Sequence, residues 1–125
     1  MLTVLLGLAA QAHAQSKADG LFDELTRDFG SVPYGQVVSH PFRIVNNTKQ
    51  PVRIISATPN CGRCSSARVL KNYLQPGEET AIIATMDANQ FIGTKHIVIT
   101  VLFDQPRFEQ VRLWIQANRD RKSVV

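Results

Sequence analysis

The chain has 125 residues, 44% hydrophobic and 19% charged, with a formal net charge of +4 and two cysteines. That length supports one domain of ordinary size and excludes two well-packed cores, and the composition excludes a disordered chain. The basic residues are scattered and no Lys/Arg run interleaved with aromatics occurs, so the charge reads as a solvated surface and no nucleic-acid partner is expected.

Residues 1–14 read as a secretory signal peptide. An apolar stretch from Leu2 to Ala10 is followed by Ala12-His13-Ala14, the small-x-small pattern that signal peptidase cuts. No Lys or Arg precedes the apolar stretch, which a start codon placed too far downstream would explain. No Cys follows it for lipid attachment, and no other segment approaches the ~18 apolar residues of a membrane span. The expectation is an exported protein (periplasmic, cell-envelope or secreted) with no transmembrane segment in its mature chain.

Residues 15–24 form a polar lead-in whose Leu21 and Phe22 would tuck against the domain edge. The domain itself is expected over 25–118. Leu25 to Val32 alternates as a first strand, with Gly30 marking a bulge or bend, and Pro33-Tyr34-Gly35 signals a turn. Val37 to Asn46 is a second strand with Val38, Phe42 and Ile44 on one side and Arg43 on the other; Pro41 inside it points to an edge position or a bulge. After the turn formers Asn46 to Gln50, a third strand runs from Pro51 to Thr58 and carries Val52, Ile54, Ile55 and Ala57.

Pro59-Asn60 leads into Cys61-Gly62-Arg63-Cys64 and a looser stretch to Gln75. Pro76-Gly77-Glu78-Glu79 suits a type II turn, and Ala81 to Met86 is a short strand. In the loop Asp87 to Gly93, the apolar Phe91 and Ile92 are expected to fold back over the core. Thr94 to Phe103 is apolar on both faces, as a central strand is. Phe108 to Ala117 alternates cleanly, with Val111, Leu113, Ile115 and Ala117 inward and Arg112, Trp114 and Gln116 outward. A charged tail occupies 119–125. About seven short strands, turn signals every ~8–12 residues and no convincing helix predict an antiparallel Ig-like β-sandwich, all-β and single-domain.

These segments resemble a known family. Asp28-Phe29-Gly30-x-Val32-x-x-Gly35, Phe42-x-Ile44-x-Asn46-Asn47, the Cys-Gly turn, Pro76-Gly77-Glu78, Phe91-x-Gly93 and the Val-Val tail look like the bacterial domain of unknown function 1573 family. The family in turn resembles the Hydin-type (ASH) and major-sperm-protein branch of Ig-like folds. The resemblance implies a seven-stranded sandwich and an extracytoplasmic place, and it implies no established activity. Members typically carry Cys-Gly-Cys, where this chain has one residue more, and longer relatives continue past the Val-Val tail. The chain is therefore either a single-domain form or a truncated one.

The cysteine pair is the strongest chemical feature, expected at an exposed corner of the sandwich. Cys61 and Cys64 can form a local disulfide, a dithiol redox or sensing pair, or a soft-metal pair for copper(I). Arg63 and Arg68 would favour a thiolate there, with Cys61 as the attacking thiol and Cys64 as the resolving one. Closing a four-residue loop is worth only about 2 kcal/mol, against ~3 for fifteen residues, so a disulfide would pin the turn rather than hold the domain. A zinc site lacks ligands, since His40 and His96 stand far away at no ligand-like spacing. Both read as ordinary surface or edge histidines. Asp87, Glu78 and Glu79 form no carboxylate pair, and Ser65-Ser66 sits in no nucleophile elbow. The expectation is a non-enzymatic binding or structural module without a cofactor. Its partner would be an envelope protein or polymer, met by the 61–68 loop with Arg63 and Arg68 or by a face carrying Arg112 and Trp114. The alternative is a thiol module built on Cys61 and Cys64.

Overall fold

The computed structural model describes residues 17–119. Residues 1–14, expected to be a signal peptide, and the tail from 120 onward lie outside the described residues. Eight strands follow a short 3-10 turn at Lys17–Leu21: β1 Thr26–Ser31, β2 Val37–Val45, β3 Val52–Pro59, β4 Ser65–Val69, β5 Tyr73–Leu74, β6 Glu79–Asp87, β7 Gly93–Gln105 and β8 Glu109–Arg119. One sheet has the order β1-β8-β7-β3-β5, and the other β2-β6-β4.

Alternation explains how the two sheets meet. Val111, Leu113, Ile115 and Ala117 of β8 lie beside Ile97, Ile99, Val101 and Phe103 of β7, all buried. They face Phe42 and Ile44 of β2 and Ile82, Ala84 and Met86 of β6. Each large side chain so buried contributes roughly 1.5–3 kcal/mol, which makes this interlayer seam the main source of stability. β7 lies between β8 and β3, and its second apolar set, Val98 and Leu102, is half-buried on the outer face.

Local signals sit where their chemistry requires. β2 is an edge strand whose one strand partner is β6, so Pro41 breaks no second ladder. Gly30 adopts φ +73° where the β1–β8 register shifts, and Gly77 adopts φ +88° in a turn closed by the Glu78 N–H donating to Gln75 O at 3.0 Å. Consecutive Ile54 and Ile55 fall on opposite faces by strand alternation, Ile54 in the core and Ile55 exposed, and the β3–β7 register shifts between Ile54 and Ser56.

Three features refine the expectations. The stretch between the cysteine turn and Gln75 is not loose: it holds β4, which extends the smaller sheet, and the two-residue β5, so the strands among the described residues number eight. β1 runs parallel to β8, so the larger sheet is mixed. The lead-in reaches further inward than a domain edge. Leu21 and Phe22 are buried, Phe22 bridges to Ile44, and its ring meets that of Phe103 edge-on at 6.3 Å.

Candidate functional site

β3 ends at Pro59, and the next residue is tied down twice. The Asn60 N–H donates to Val98 O at 3.0 Å, and the Val98 N–H donates to Asn60 Oδ1 at 3.2 Å. The chain then turns through Cys61 and Cys64, which are joined by a disulfide with a Cα separation of 5.6 Å. The Ser65 hydroxyl donates to Cys61 O at 2.6 Å, and the Asp87 N–H donates to Cys64 O at 2.9 Å. Cys64 belongs to the core at 1% exposure, while Cys61 is half-buried and packs against that core. The expected exposed sulfur corner is therefore corrected: entry into β4 draws the second cysteine inward, and Gly62 and Arg63 are the exposed part of the turn. The segment 61–68 is likewise not all loop, because β4 begins at Ser65.

Strand directions gather three connections at this same end of the sandwich: 32–36, 60–64 and 88–92. The Ala88 N–H donates to Gln36 O at 3.0 Å, and Asp87 caps the 3-10 turn Ala88–Gln90 by accepting from the Asn89 N–H at 2.9 Å. Tyr34, Val37 and Ile92 are 50%, 58% and 55% exposed there, a concentration of apolar surface around the disulfide turn. Arg119, buried at the end of β8, donates to Phe91 O at 3.0 Å, and its guanidinium lies 4.4 Å from the Tyr34 ring centroid. Phe91 does pack against the core as expected, whereas Ile92 points away from it.

Sequence reasoning identified the cysteines and Arg63 at this end but not Tyr34, Val37, Ile92 or Arg119. The only local cue was an apolar residue inside a turn signal, twice.

The other singled-out residues lie elsewhere. Trp114 is 47% exposed on the outer face of the larger sheet, between Thr26 and Val98, with Arg112 opposite Thr100 on the same face. Arg68 points outward from β4 in the smaller sheet, so it shares no surface with Trp114. His40 is mostly buried on the edge strand, with Nε2 facing the Glu24 carboxylate and its ring edge-on to Phe42 at 4.9 Å. His96 is exposed opposite Gln116. Among the described residues no group of three or more His, Cys, Asp or Glu side chains is placed to hold a metal ion. No helix among them is long and apolar enough to cross a membrane.

Charge pairing on the outer surfaces is local. A hydrogen bond from Arg53 holds the Asp104 carboxyl below its ordinary range, and one from Arg43 does the same for Glu79. Glu78 is lowered first by the Gln75 N–H and then by Lys71. Asp19 is raised, by burial first and by the nearby Glu109 second.

Two facing sheets of five and three strands define an Ig-like β-sandwich. Residues 21–119 match the family described as "Protein of unknown function (DUF1573)", and the chain belongs to that family. No curated protein matches the chain. Among solved structures, it is similar to the Vibrio cholerae VesB protease, with TM-score 0.66 and 19% identity over 82% of this chain and 33% of that one. This chain thus spans about a third of that protein. It is also similar to the human CEP192 ASH/PapD-like domain 7, with TM-score 0.62 and 9% identity over 93% of this chain and 97% of the domain. A third similarity is to SSP-19, an MSP-domain protein of Caenorhabditis elegans, with TM-score 0.54 and 14% identity over 70% and 92%. At these identities the likeness is one of fold.

Proposed function

We propose that this chain is a non-enzymatic binding or structural module working outside the cytoplasm, in the periplasm, the envelope or the surrounding medium. The observation that carries the reading is the loop end of the sandwich. Tyr34 and Ile92 on two connections and Val37 at the start of β2 expose apolar side chains beside the disulfide turn, and backbone hydrogen bonds and the disulfide hold this end in place. Rigid, partly apolar loop surfaces at the end of a sandwich lose little entropy on binding and suit a macromolecular partner. A disulfide between Cys61 and Cys64 supports an oxidising compartment.

Arg63 beside this surface supplies a cation for a partner carrying carboxylates, and an envelope protein or polymer is the class that fits. Arg112 and Trp114 on the larger sheet form a second contact face, and Arg68 a third, each in keeping with a module that touches several neighbours. The test is a pull-down from an envelope extract with wild type, a Tyr34→Ser/Ile92→Ser variant, a Trp114→Ala variant and a double cysteine variant. Partners retained by Trp114→Ala and lost by Tyr34→Ser/Ile92→Ser support the loop end. Partners indifferent to both sets of changes refute it.

A further inference from the structure

The two sulfurs of the Cys61–Cys64 disulfide have unlike surroundings. Cys64 is sealed in the core, beside Ser65 and under the Asp87 N–H that holds its carbonyl. Cys61 is half-buried, and its Sγ accepts a hydrogen bond from the Cys64 N–H at 3.3 Å. A backbone donor aimed at that sulfur stabilises negative charge building on it, and the exposed Arg63 between the cysteines adds positive potential. The turn also keeps its shape without the S–S bond. Asn60, Cys61 O and Cys64 O are each anchored by hydrogen bonds to β7, Ser65 and β6. Reduction would leave the two thiols in place and within reach of each other.

We propose that this disulfide is a thiol-exchange site that takes thiols carried on a peptide. A partner thiolate attacks Sγ of Cys61, the less buried of the two cysteines. The S–S bond breaks, its electron pair goes to Cys64 Sγ, and the proton given up by the partner thiol ends on Cys64. The partner's second thiol then attacks the mixed disulfide and releases Cys61. The partner dithiol is oxidised to a disulfide, Cys61 and Cys64 are reduced to thiols, and two electrons and two protons move. Run backwards, the same steps reduce a partner disulfide, with Cys61 attacking and Cys64 resolving.

The preference for a peptide follows from what flanks the turn. Val37 is the register partner of Asp87, whose N–H binds Cys64 O, so an exposed apolar residue lies at the same end of the sandwich with its backbone two strand spacings, roughly 9–10 Å, from that of Cys64. A peptide can rest on it; a small hydrophilic thiol cannot. This inference does not depend on the binding role proposed above, and it replaces the non-enzymatic part of that reading.

The test uses the folded oxidised protein, a short dithiol peptide with flanking Leu residues, and reduced glutathione. Alkylation and mass spectrometry should show the disulfide opened by the peptide at neutral pH, with the first adduct on Cys61. Challenged instead with the disulfide form of the same peptide, whose S–S bond opens and leaves one peptide thiol free, Cys64→Ser should trap a mixed disulfide at Cys61 more than about tenfold faster than Cys61→Ser traps one at Cys64. Val37→Ser should slow the peptide and leave the glutathione rate unchanged. A wild-type disulfide that stays closed under millimolar peptide overturns the proposal whether or not the variants fold. First adducts on Cys64, or peptide and glutathione rates equally insensitive to Val37→Ser, overturn it as well.

Discussion

Asn46 closes the end of the sandwich opposite the cysteine turn, and its replacement should be costly. The side chain is fully buried. Its Nδ2 donates to Gln50 O at 2.8 Å and Leu74 O at 3.1 Å, and its Oδ1 accepts from the Thr48 N–H at 3.0 Å and the Thr48 hydroxyl at 2.6 Å. Its backbone joins the β5–β6 turn, donating to Glu78 O and accepting from the Gly77 N–H. One residue therefore links the β2–β3 loop to β5 and the next turn. Asn46→Ala removes the side-chain bonds and strips a partner from the Leu74 carbonyl. At roughly 1–3 kcal/mol for a buried polar group left unsatisfied, plus a small cavity, the loss should be about 2–4 kcal/mol. With an m-value of about 1–3 kcal/mol/M, urea unfolding should show the midpoint falling by roughly 1–2 M. Asn46→Asp keeps the shape but sets oxygen against the Gln50 and Leu74 carbonyls, so it should cost at least as much. Asn47→Ala, an exposed neighbour with one bond to Gly20 O, should stay within about 0.5 kcal/mol. If Asn46→Ala and Asn47→Ala unfold at the same midpoint, the hydrogen bonds do not stabilise this end and the reasoning fails.

Reducing the disulfide, or replacing both cysteines with Ser, should lower stability by only about 2 kcal/mol and leave a cooperative transition by far-UV circular dichroism, because hydrogen bonds hold the turn independently. Phe22→Ala should cost about 3 kcal/mol in denaturant unfolding, since the ring packs against Phe103 although it precedes the first strand. In acid, Asp104, Glu79 and Glu78 have lowered folded-state pKa values, so their stabilisation is complete above the ordinary carboxylate range and disappears as the pH falls through the folded values; Arg53→Met should remove Asp104's share of that acid loss in thermal melts across pH 2–6, where ~4 is the ordinary carboxylate pKa. Asp19 runs the other way: its raised value means a contribution present at low pH and lost as the pH rises, so Asp19→Asn should raise the melting temperature at neutral pH and have no effect at the acid end.

What could be read from the chain follows the contrast between neighbouring side chains. β7 and β8 alternate large apolar residues with polar ones, and their inward sets are those named from the pattern. Pro41 was legible because its ring permits so few backbone arrangements, and Gly30 because glycine alone adopts its positive φ of +73° without strain. β4 gave no such contrast. Its inward residues are Ser65, Ala67 and Val69, and Ser65 is buried because its hydroxyl serves Cys61 O, not because it is apolar. β5 is too short to show a period. The parallel pairing of β1 with β8 joins residues about ninety positions apart, and β1 is exposed along nearly its whole length, so neither its partner nor its direction leaves a mark in the local pattern.

The loop end was hidden for a related reason. Tyr34, Arg63 and Ile92 are separated by about thirty residues each, and each alone is unremarkable in a turn. They become neighbours because β2 and β6 pair from Val37–Asp87 upward and β4 and β6 pair from Ser65–Met86 upward, which brings the starts of two strands to the end of a third. The register that buries Phe42, Ile82 and Ala67 on one side of the smaller sheet leaves no other place for those connections. Slipping β2 by one residue along β6 would turn Phe42 and Ile44 outward as well as moving Val37 away from the Asp87 position. The core seam and the candidate surface are thus selected by the same pairing. A substitution that disturbs the surface chemistry alone must be sought at Tyr34, Arg63 or Ile92, whose side chains the core does not use.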